Sequence, residues 1–395
     1  MKLLLLGECE AAMHAARRLG HECLVLEPSP PGAGAPGGTT LGGPPIGPAF
    51  DRQVRDLCRG ESIDGVLSTS DSHSLVAARA RSVLGIADHQ RYDPIALQDK
   101  SVLKQRLRSA GVPCTQELTL MPGIEPRAVL GALGTPCVVK PRMSPGYRGA
   151  ATIHGPEDLV PYLHRGWVAE RWVEGTGHSL EALLQDGEVV LLSGTEWILS
   201  DHAFVQPSLL GEGLYRRLRS LLKTAAEAID LTSGMIRIEF FQTTAGEVIV
   251  GDLAVGPADP LIMDGLRASW GIDPWECVIN LQLGLEVEPP ERNECTSVTM
   301  TVHPGGGLVR SVDGVAEARA MPGVEEVQLA FEPGTILCGR KGRELSAGWI
   351  RACGPGSKEA LERVRAAHAC LRIDLVDIPS ERSEQDAARS PGGPR

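Results

Sequence analysis

The sequence predicts a multidomain protein of the α/β and α+β classes, and three observations support this. The chain has 395 residues, too many for one ordinary hydrophobic core. It opens with an apolar run KLLLL, a helical stretch EAAMHAARRLG and a second apolar run CLVLEP, a β-α-β order typical of a parallel sheet. Further along, pairs of apolar segments flank Gly-containing turns and indicate antiparallel hairpins.

The first domain is expected at residues 1–95. Its opening strand ends at Gly7, and no G-x-G-x-x-G dinucleotide fingerprint follows. The segment 28–48 is rich in Pro and Gly with almost no charge, which predicts a long irregular loop. Helices near 51–58 and 73–83, with the strand GVLSTS between them, complete the expected α/β domain.

A second domain is expected at residues 96–290. It begins with a helix, DKSVLKQRLRSAGVP, that ends at Gly111. Residues from about 115 to 175 have the pattern of a small lid: strand, helix, strand, loop, strand, helix, strand. Two hairpins follow, with turns at Asp186-Gly187 and near Ala245-Gly246, and a helix lies between them. This part is therefore predicted to contain an antiparallel sheet.

A third, C-terminal domain is expected at residues 291–378. It combines alternating strands and Gly turns with one late helix, SKEALERVRAAHACL. The tail at 379–395 is polar and contains Pro and Gly, which predicts disorder.

The composition excludes several classes of partner. The net charge of −11 argues against nucleic acid, because binding a phosphate backbone requires a basic surface. The longest early apolar run, Leu3 to Leu6, is followed at once by Glu8, so neither a membrane span nor a secretory segment is expected. We expect a cytoplasmic protein.

The cysteines agree with a reducing compartment. There are ten of them, scattered and without a C-x-x-C motif. Five lie in apolar strand or helix contexts and are interpreted as buried thiols. These are Cys9, Cys23, Cys137, Cys277 and Cys370.

Two lysine motifs and two late carboxylates carry most of the functional argument. Lys100 opens a helix, and Lys140 ends a short apolar strand that is followed by a loop of Gly, Ser, Pro and Arg. Glu239 and Asp252 lie on the two strands of one predicted hairpin. Cations suit phosphate oxygens, and carboxylates suit hard Mg²⁺ ions. The residues in this order predict a site for Mg-ATP.

These motifs resemble the ATP-grasp superfamily, and in particular its carboxylate–amine ligases of the L-amino-acid (dipeptide) ligase type. The resemblance covers nearly the whole chain. It implies an ATP-grasp fold with an N-terminal Rossmann-like flanking domain, a lid subdomain, a catalytic antiparallel sheet and a C-terminal α+β domain that closes one wall of the active site. It also implies ATP and one or two Mg²⁺ ions, with Mn²⁺ as an alternative. A C-terminal domain that only packs is the other interpretation.

The resemblance assigns the two lysines to the α- and β-phosphates. A solvated helix charge is the alternative for Lys100. The loop Met143–Gly149 matches the glycine-rich lid loop, whose backbone amides approach phosphate oxygens through Ser144, Gly146 and Gly149. Within it, Arg148 is placed to reach the γ-phosphate or an acyl phosphate. The alternative for the loop is an ordinary Gly-Pro turn.

The segment ERWVE matches the hinge that meets the nucleoside. The resemblance implies that Glu170, Trp172 and the backbone near Val173 lie by the adenine and ribose. His178 occupies a position near the ribose and phosphates. A surface or hairpin histidine without a ligand is the alternative for His178.

Glu239 and Asp252 match two of three family magnesium ligands, but the second strand departs from the family pattern E-x-N-x-R. Ala254 stands where the asparagine ligand is expected, and Gly256 stands where the arginine is expected. Asp259 is a candidate to supply a further ligand from the next turn.

Three arginines are candidates to replace the missing cation. They are Arg148, Arg237 and Arg267. A further departure is Trp197, in a segment where relatives often have a lysine. These changes lie on the acceptor side of the site and predict an unusual substrate or reduced activity.

The sequence therefore predicts an ADP-forming ligase that joins a small-molecule carboxylate to an amine through an acyl phosphate. The amine is expected to be that of an amino acid, in specialised metabolism such as antibiotic biosynthesis, and a homodimer agrees with the relatives. Three alternatives stay open. One is an ATP-grasp ligase with a non-amino-acid acceptor. The others are a nucleotide-binding protein without turnover and a flavodoxin-like or periplasmic binder.

Overall fold

The computed structural model describes residues 1–28, 47–90, 92–143, 149–198, 202–290, 295–337 and 346–377. The chain forms two compact units, Met1–Trp197 with Gln206–Asn293 and Ile198–Val205 with Glu294–Arg395. Several expectations lie outside the described residues: most of the loop at 28–48, most of the lid loop and the tail at 379–395. The predicted domain boundaries near 95 and 290 stay predictions.

The N-terminal part of the first unit is the predicted parallel sheet. Leu3 to Leu6 on the central strand are buried, as expected for a strand covered on both faces. The order is β2-β1-β3, and both pairings are parallel. Its elements are β1 (Lys2–Leu6), α1 (Glu10–Arg18), β2 (Glu22–Leu26), α2 (Pro48–Leu57), β3 (Gly65–Ser68) and α3 (Ser74–Leu84). A single 3₁₀ turn, Asp71–His73, joins β3 to α3.

Two short helices follow, α4 (Pro94–Gln98) and α5 (Lys100–Ser109). Aspartates begin both of them. The Asp93 carboxylate accepts hydrogen bonds from the N–H groups of residues 95 and 96, and the Asp99 carboxylate from those of residues 101 and 102. Such caps satisfy the first N–H groups of a helix, which have no partner within it.

The lid has the predicted succession of elements. It consists of β4 (Glu117–Thr119), α6 (Pro126–Leu133), β5 (Cys137–Pro141), β6 (Ala151–Ile153), α7 (Pro156–Leu159) and β7 (Trp167–Arg171). The strands form an antiparallel sheet in the order β4-β7-β5-β6. Leu120, Val139 and Ala169 are completely buried beneath the lid helices, so the lid has its own core.

The two predicted hairpins form an antiparallel sheet of the first unit in the order β12-β11-β8-β9. Its strands are β8 (Thr176–Gln185), β9 (Glu188–Ile198), β11 (Gly234–Gln242) and β12 (Val248–Val255). The β8–β9 turn has positive φ at both Asp186 (50°) and Gly187 (80°), the geometry of a two-residue hairpin turn. The helices of this part are α8 (Glu212–Ala228), α9 (Pro260–Trp270) and α10 (Pro274–Gln282).

One face of this sheet packs against α8. Leu180, Ile238 and Phe240 of the strands are buried with Leu218 and Leu222 of the helix in a single cluster. The opposite, polar face of the sheet is therefore the one available for a site.

The second unit has its own core. Its larger sheet contains β10 (Ala203–Gln206), β13 (Thr296–Thr301), β17 (Gly348–Gly354) and β15 (Val324–Leu329), in that order. A smaller sheet has the order β16-β14-β18, with β14 (Gly307–Asp313), β16 (Ile336–Leu337) and β18 (Arg372–Val376). Helices α11 (Val315–Arg319) and α12 (Ser357–Cys370) complete the unit. Val298, Ile350 and Val364 form part of its core.

The cysteine prediction is only partly correct. All nine cysteines within the described ranges are free thiols, but of the five singled out only Cys137 is buried. Cys9, Cys23, Cys277 and Cys370 are half-buried. None of the helices in the described ranges is long and apolar enough to cross a bilayer.

Candidate functional site

The start of α5 is held against the end of β5, so the two lysine motifs lie close together. The Lys100 N–H donates to the Arg142 carbonyl (3.1 Å), and the Arg142 guanidinium donates two hydrogen bonds to the Asp99 carboxylate (2.8 and 2.7 Å). A bidentate pair of this kind fixes orientation as well as distance. Asp99, the N-cap residue of α5, therefore also helps to fix the position of the Lys100 backbone.

Lys100 points into the antiparallel sheet. Its Nζ lies 2.7 Å from Oδ2 of Asp252 on β12, and both residues are buried. Burial alone raises the pKa of Asp252, but the ammonium groups of Lys100 and Lys140 outweigh it and hold that pKa at about 2. Burial likewise lowers the pKa of Lys100, and the facing carboxylate reverses this, so the net shift is upward. Both groups are charged at neutral pH.

Glu239 and Asp252 face each other directly on neighbouring antiparallel strands. Burial raises the pKa of Glu239, and the nearby Asp252 carboxylate raises it further. An added divalent cation would relieve this repulsion, and the carboxylate oxygens suit a hard ion. The pair therefore fits Mg²⁺, although within the described ranges no third His, Cys, Asp or Glu joins it.

A second cluster of charges lies beneath the lid. Oε2 of Glu170 on β7 accepts from Lys140 Nζ on β5 (3.0 Å), lies 3.1 Å from Lys104 Nζ on α5, and accepts from the Thr115 hydroxyl (3.0 Å). Lys104 also donates to Thr115. All four side chains are buried. The carboxylate thus holds two ammonium groups side by side.

Lys104 is a site residue that the sequence analysis missed. It lies four residues after Lys100, so both project from the same side of α5. That spacing was the available signal, but a second lysine in an exposed-looking helix pattern is usually solvated. Burial lowers the pKa of Lys104 despite the nearby Glu170.

Glu170 remains ionised because of its partners. Burial alone raises the pKa of this carboxyl, but the ammonium groups of Lys104 and Lys140 bring it below the ordinary glutamate value. Its other oxygen, Oε1, is buried and has no hydrogen-bond partner among the described residues. That oxygen can accept from a ligand.

The cluster borders a cavity, here called the lid cavity. It is lined by Thr115, Val138, Lys140, Ala150, Ala151, Thr152, Glu170, Arg171, Trp172, Val173 and Phe241. Trp172 is 47% exposed and offers an aromatic face, while the buried Glu170 offers an acceptor. An apolar cavity with few polar groups suits a flat heteroaromatic ring. Its lining contains the residues predicted to meet the nucleoside, Glu170, Trp172 and Val173.

A second cavity, the carboxylate cavity, surrounds the Lys100–Asp252 pair. It is lined by Asp71, Ser74, Leu97, Gln98, Lys100, Arg237, Glu239, Asp252, Leu253, Ala254 and Val255. Arg237 on β11 lies 3.2 Å from Asp71 and 3.6 Å from Glu239, with its side chain 15% exposed. Burial opposes its charge, but Glu239 and Asp71 raise the pKa of the guanidinium. The cavity therefore contains positively and negatively charged side chains within ion-pair distance of each other.

Of the three candidate arginines, the structure brings Arg237 to the carboxylates. Arg267 on α9 lines neither cavity and pairs instead with Asp264 (3.3 Å) and Asp273 (3.0 Å). The role of Arg267 as a replacement cation stays a prediction, and its position on α9 directs it to the carboxylates of Asp264 and Asp273. Arg148 lies outside the described residues.

The structure also describes two other candidate site residues, Asp259 and His178. Asp259, considered as an extra ligand, accepts a hydrogen bond from the Leu261 N–H (2.9 Å) and begins α9. His178 lines neither cavity, and its ring stacks on Phe240 at 5.3 Å with an interplanar angle of 18°. Burial lowers the pKa of His178, so the ring is neutral at physiological pH. Both ring nitrogens are buried without a hydrogen-bond partner among the described residues, and a contact of His178 with the nucleotide stays a prediction.

Only the end of the lid loop is described. Gly149 has φ of +81°, and a Cβ there would lie 3.2 Å from the Pro141 ring, so glycine suits both the backbone and the packing. Ser144 and Gly146 lie outside the described residues.

Comparisons with known proteins agree with this geometry. A family model described as L-amino acid ligase C-terminal domain 2 matches residues 300–376. A Bacillus subtilis protein named L-arginine-specific L-amino acid ligase is 25% identical over 298 residues, which cover 69% of this chain and 71% of that protein.

Solved structures show the same fold. The crystal structure of an L-amino acid ligase from Bacillus licheniformis matches with a TM-score of 0.75 and 18% identity, over 95% of this chain and 99% of that one. An N5-carboxyaminoimidazole synthase from Aspergillus clavatus, in complex with ADP and an aminoimidazole ribonucleotide, matches with a TM-score of 0.71 and 18% identity, over 93% and 98%. The predicted ATP-grasp fold and the predicted resemblance to carboxylate–amine ligases are confirmed.

Proposed function

We propose that this chain, which has the ATP-grasp fold and resembles the L-amino acid ligases, is a ligase that forms an amide bond between two amino acids or amino-acid-like compounds. ATP is consumed to ADP and phosphate. One substrate carboxylate is activated as an acyl phosphate, and the amine of the other then displaces the phosphate.

One observation carries this proposal. Lys140 lines the lid cavity with Glu170, which also contacts the buried Lys104, while Lys100 and the facing carboxylates of the β11–β12 hairpin line the carboxylate cavity beside Arg237. Buried charges are retained at this density where they meet a charged ligand, since burial alone opposes each of them. A triphosphate with its cation matches the distribution.

The nucleoside would occupy the lid cavity. Trp172 and Phe241 supply aromatic surface there, and the unsatisfied Oε1 of Glu170 can accept from an exocyclic amine. The adenine amine is such a donor, whereas the corresponding guanine position is a carbonyl. Glu170 thereby favours ATP over GTP.

The phosphates would lie across Lys140 and Lys100. Lys140 lines the lid cavity and Lys100 lines the carboxylate cavity, and the ammonium groups of both lower the pKa of Asp252. The ammonium groups of Lys100 and Lys140 offset the negative charge of the phosphates. Glu170, which contacts both Lys104 and Lys140, fixes the position of the Lys140 ammonium group.

Glu239 and Asp252 would hold Mg²⁺. When bound, the ion screens the phosphate oxygens and orients the transferred group. Ala254 provides no ligand, so the protein supplies two carboxylates, and water and phosphate supply the remaining oxygens. Lys100 lies 2.7 Å from Asp252 and keeps this carboxylate ionised before the ion arrives.

Arg237 would bind the carboxylate to be activated. Its guanidinium lies within the carboxylate cavity, and its Nε is buried without a hydrogen-bond partner among the described residues. A substrate carboxylate oxygen there would attack the γ-phosphorus while the P–O bond to ADP breaks. The amine nitrogen then attacks the acyl carbon, a proton is lost from that nitrogen, and phosphate leaves. Arg237 stabilises the negative charge that develops on the acyl oxygen.

The test is a product assay. We expect purified protein with Mg-ATP and the protein amino acids, singly and in pairs, to release ADP and to yield a mass equal to two substrates minus water. Lys140→Ala should lower ADP release by at least about 100-fold, because loss of a phosphate contact removes roughly 3 kcal/mol of transition-state stabilisation. Lys358→Ala, on α12 of the second unit, is the control and should retain wild-type turnover. Unchanged turnover in Lys140→Ala would contradict the proposed phosphate site.

An amine that is not an amino acid is the nearest alternative, since the changes at Ala254 and Gly256 lie on the acceptor side. ADP release without a condensed amino-acid product would favour it. A nucleotide-binding protein without turnover is the second candidate, favoured by the absent ligand at Ala254. ATP binding with no ADP from any acid would support that candidate. We also propose, from the relatives, a homodimeric and cytoplasmic enzyme of specialised metabolism.

A further inference from the structure

Asp71 is a charged residue of the carboxylate cavity that the proposed function has not used. It follows β3 in the turn Asp71–His73, at the carboxyl end of the parallel sheet. Ligands of open α/β sheets bind beyond the carboxyl ends of the strands. Asp71 therefore stands where this part of the chain would meet a ligand.

The segment that carries Asp71 is held firmly to the central strand. The Thr69 hydroxyl donates to the Leu6 carbonyl (2.8 Å), and Nδ1 of His73 lies 3.1 Å from the same oxygen. Two side chains on either side of Asp71 thus fix its backbone. The carboxylate is presented in a defined place rather than on a free loop.

The backbone of Asp71 lies next to Gly256. Gly256 has φ of +120°, which side chains rarely adopt, and a Cβ added there would lie at the ordinary contact distance of 3.8 Å from the Asp71 Cα. Gly256 is the position at which the family resemblance implies an arginine. In this chain an acidic residue borders that position, and the guanidinium of the cavity comes from Arg237 on the adjacent strand.

The carboxylate cavity contains two sets of ion pairs, and a substrate that binds Arg237 would disturb one of them. Lys100 pairs with Asp252 at 2.7 Å, while Arg237 lies 3.2 Å from Asp71 and 3.6 Å from Glu239. A substrate carboxylate that binds Arg237 competes directly with Asp71. A substrate that also carries an ammonium group gives Asp71 a new partner, whereas a substrate without one leaves a partly buried carboxylate unpaired.

We propose that Asp71 recognises the ammonium group of an α-amino acid, the acid that is activated, by exchanging its ion pair with Arg237 for one with the substrate. This inference rests on the proposed function and narrows its substrate class. Because Asp71 and Arg237 are in direct contact, they match an ammonium and a carboxylate carried on one carbon. Acids without an amino group, or with a distant one, fit poorly.

Asp71→Asn tests the proposal without removing the shape of the side chain. Each protein L-amino acid is first screened with wild-type protein and Mg-ATP for ADP release, and the most active one is compared with its des-amino analogue, as L-alanine with propionate. We expect wild type to prefer the amino acid by at least about 100-fold in kcat/KM. In Asp71→Asn the KM for the amino acid should rise roughly 10- to 100-fold, while the value for the des-amino acid stays the same or falls.

Asp51→Asn is the matched control. Asp51 also pairs with an arginine of the N-terminal part, Arg79, but lines neither cavity. It should keep the wild-type preference. If wild type releases ADP equally with both acids, or if Asp71→Asn weakens both equally, Asp71 does not recognise the ammonium group.

Failure of the ligase proposal gives a different result. It would appear as no ADP from wild type with any acid. Thermal shifts with Mg-ADP and the L-amino acids, each against its des-amino analogue, then decide the role of Asp71. Stabilisation by an amino acid that is lost in Asp71→Asn but kept in Asp51→Asn supports the inference. Equal shifts by the amino acid and its analogue, or no loss in Asp71→Asn, overturn it.

Discussion

Glu170 is the residue on which the lid cluster depends. One buried carboxylate faces two buried ammonium groups, those of Lys104 and Lys140, at 3.1 and 3.0 Å. The two ammonium groups therefore share one carboxylate. Removing the anion and removing one of the cations should have very different effects on stability.

We expect Glu170→Gln to lower the free energy of unfolding by about 3–5 kcal/mol, because it leaves buried cations without their carboxylate. Lys104→Met keeps the Lys140–Glu170 pair and replaces a buried charge by an apolar chain of similar length, so its loss should be below about 1.5 kcal/mol. Urea unfolding at pH 7 gives both values. Equal losses in the two variants would show that Glu170 does not hold the cluster together.

The pH dependence of the same pair has a definite sign. The pKa of Glu170 is lowered in the folded protein, so its stabilisation is complete above the ordinary glutamate pKa, about 4.3, and is lost as the pH falls toward the folded value. The difference between wild type and Glu170→Gln should therefore be largest at neutral pH and shrink below about pH 4.

The sequence predicted those candidate site residues that stand in a recognisable local motif, but not the contacts between residues far apart in the chain. Lys100 at a capped helix start and Lys140 at a strand end stand in local contexts that sequence alone displays. The contact between Arg237 and Asp71 joins residues 166 positions apart, and no local pattern contains it. Sequence also does not show which way α9 turns its charged side, so the ion pairs of Arg267 with Asp264 and Asp273 could not be predicted.

At the level of elements, the β11–β12 hairpin is the part that the sequence predicted best. Alternating apolar residues around a Gly-containing turn give the strands, and the register then places Glu239 opposite Asp252. The same register places Ala254 opposite Arg237, two residues beyond Asp252 and on the same face of the strand. In the proposed magnesium site, Ala254 thus lies on the same face as the two carboxylates but supplies no oxygen.

We expect Ala254→Asn to add an amide oxygen to the carboxylate cavity and to lower the Mg²⁺ concentration that gives half-maximal ADP release, by about 3- to 10-fold. The measurement is ADP release against Mg²⁺ at fixed ATP. Ala245→Asn, in the exposed turn of the same hairpin, is the control and should leave the curve unchanged. A higher Mg²⁺ requirement in Ala254→Asn would mean that the position serves the substrate rather than the ion.

On the scale of the whole molecule, the candidate site and the segment that matches the L-amino acid ligase C-terminal domain belong to different compact units. Every described residue assigned to nucleotide, metal or substrate lies in the first unit, whereas the family match covers residues 300–376 of the second. Each unit has its own buried cluster of apolar residues. We therefore expect nucleotide binding to stabilise mainly the first unit.

This separation predicts where nucleotide binding stabilises the chain. A ligand that binds the folded site stabilises it by about 2.7 kcal/mol at a hundred times its dissociation constant, and only opening motions that disrupt the site are suppressed by that amount. Hydrogen exchange with Mg-ADP should slow in α5, β5, β7, β11 and β12, and change little in β13, β17 and α12. Lys140→Ala serves as the control, because weakened binding should remove the protection in the first unit without altering exchange in the second. Equal protection of both units would instead mean that the C-terminal domain takes part in holding the nucleotide, as a wall of the site rather than a separately folded neighbour.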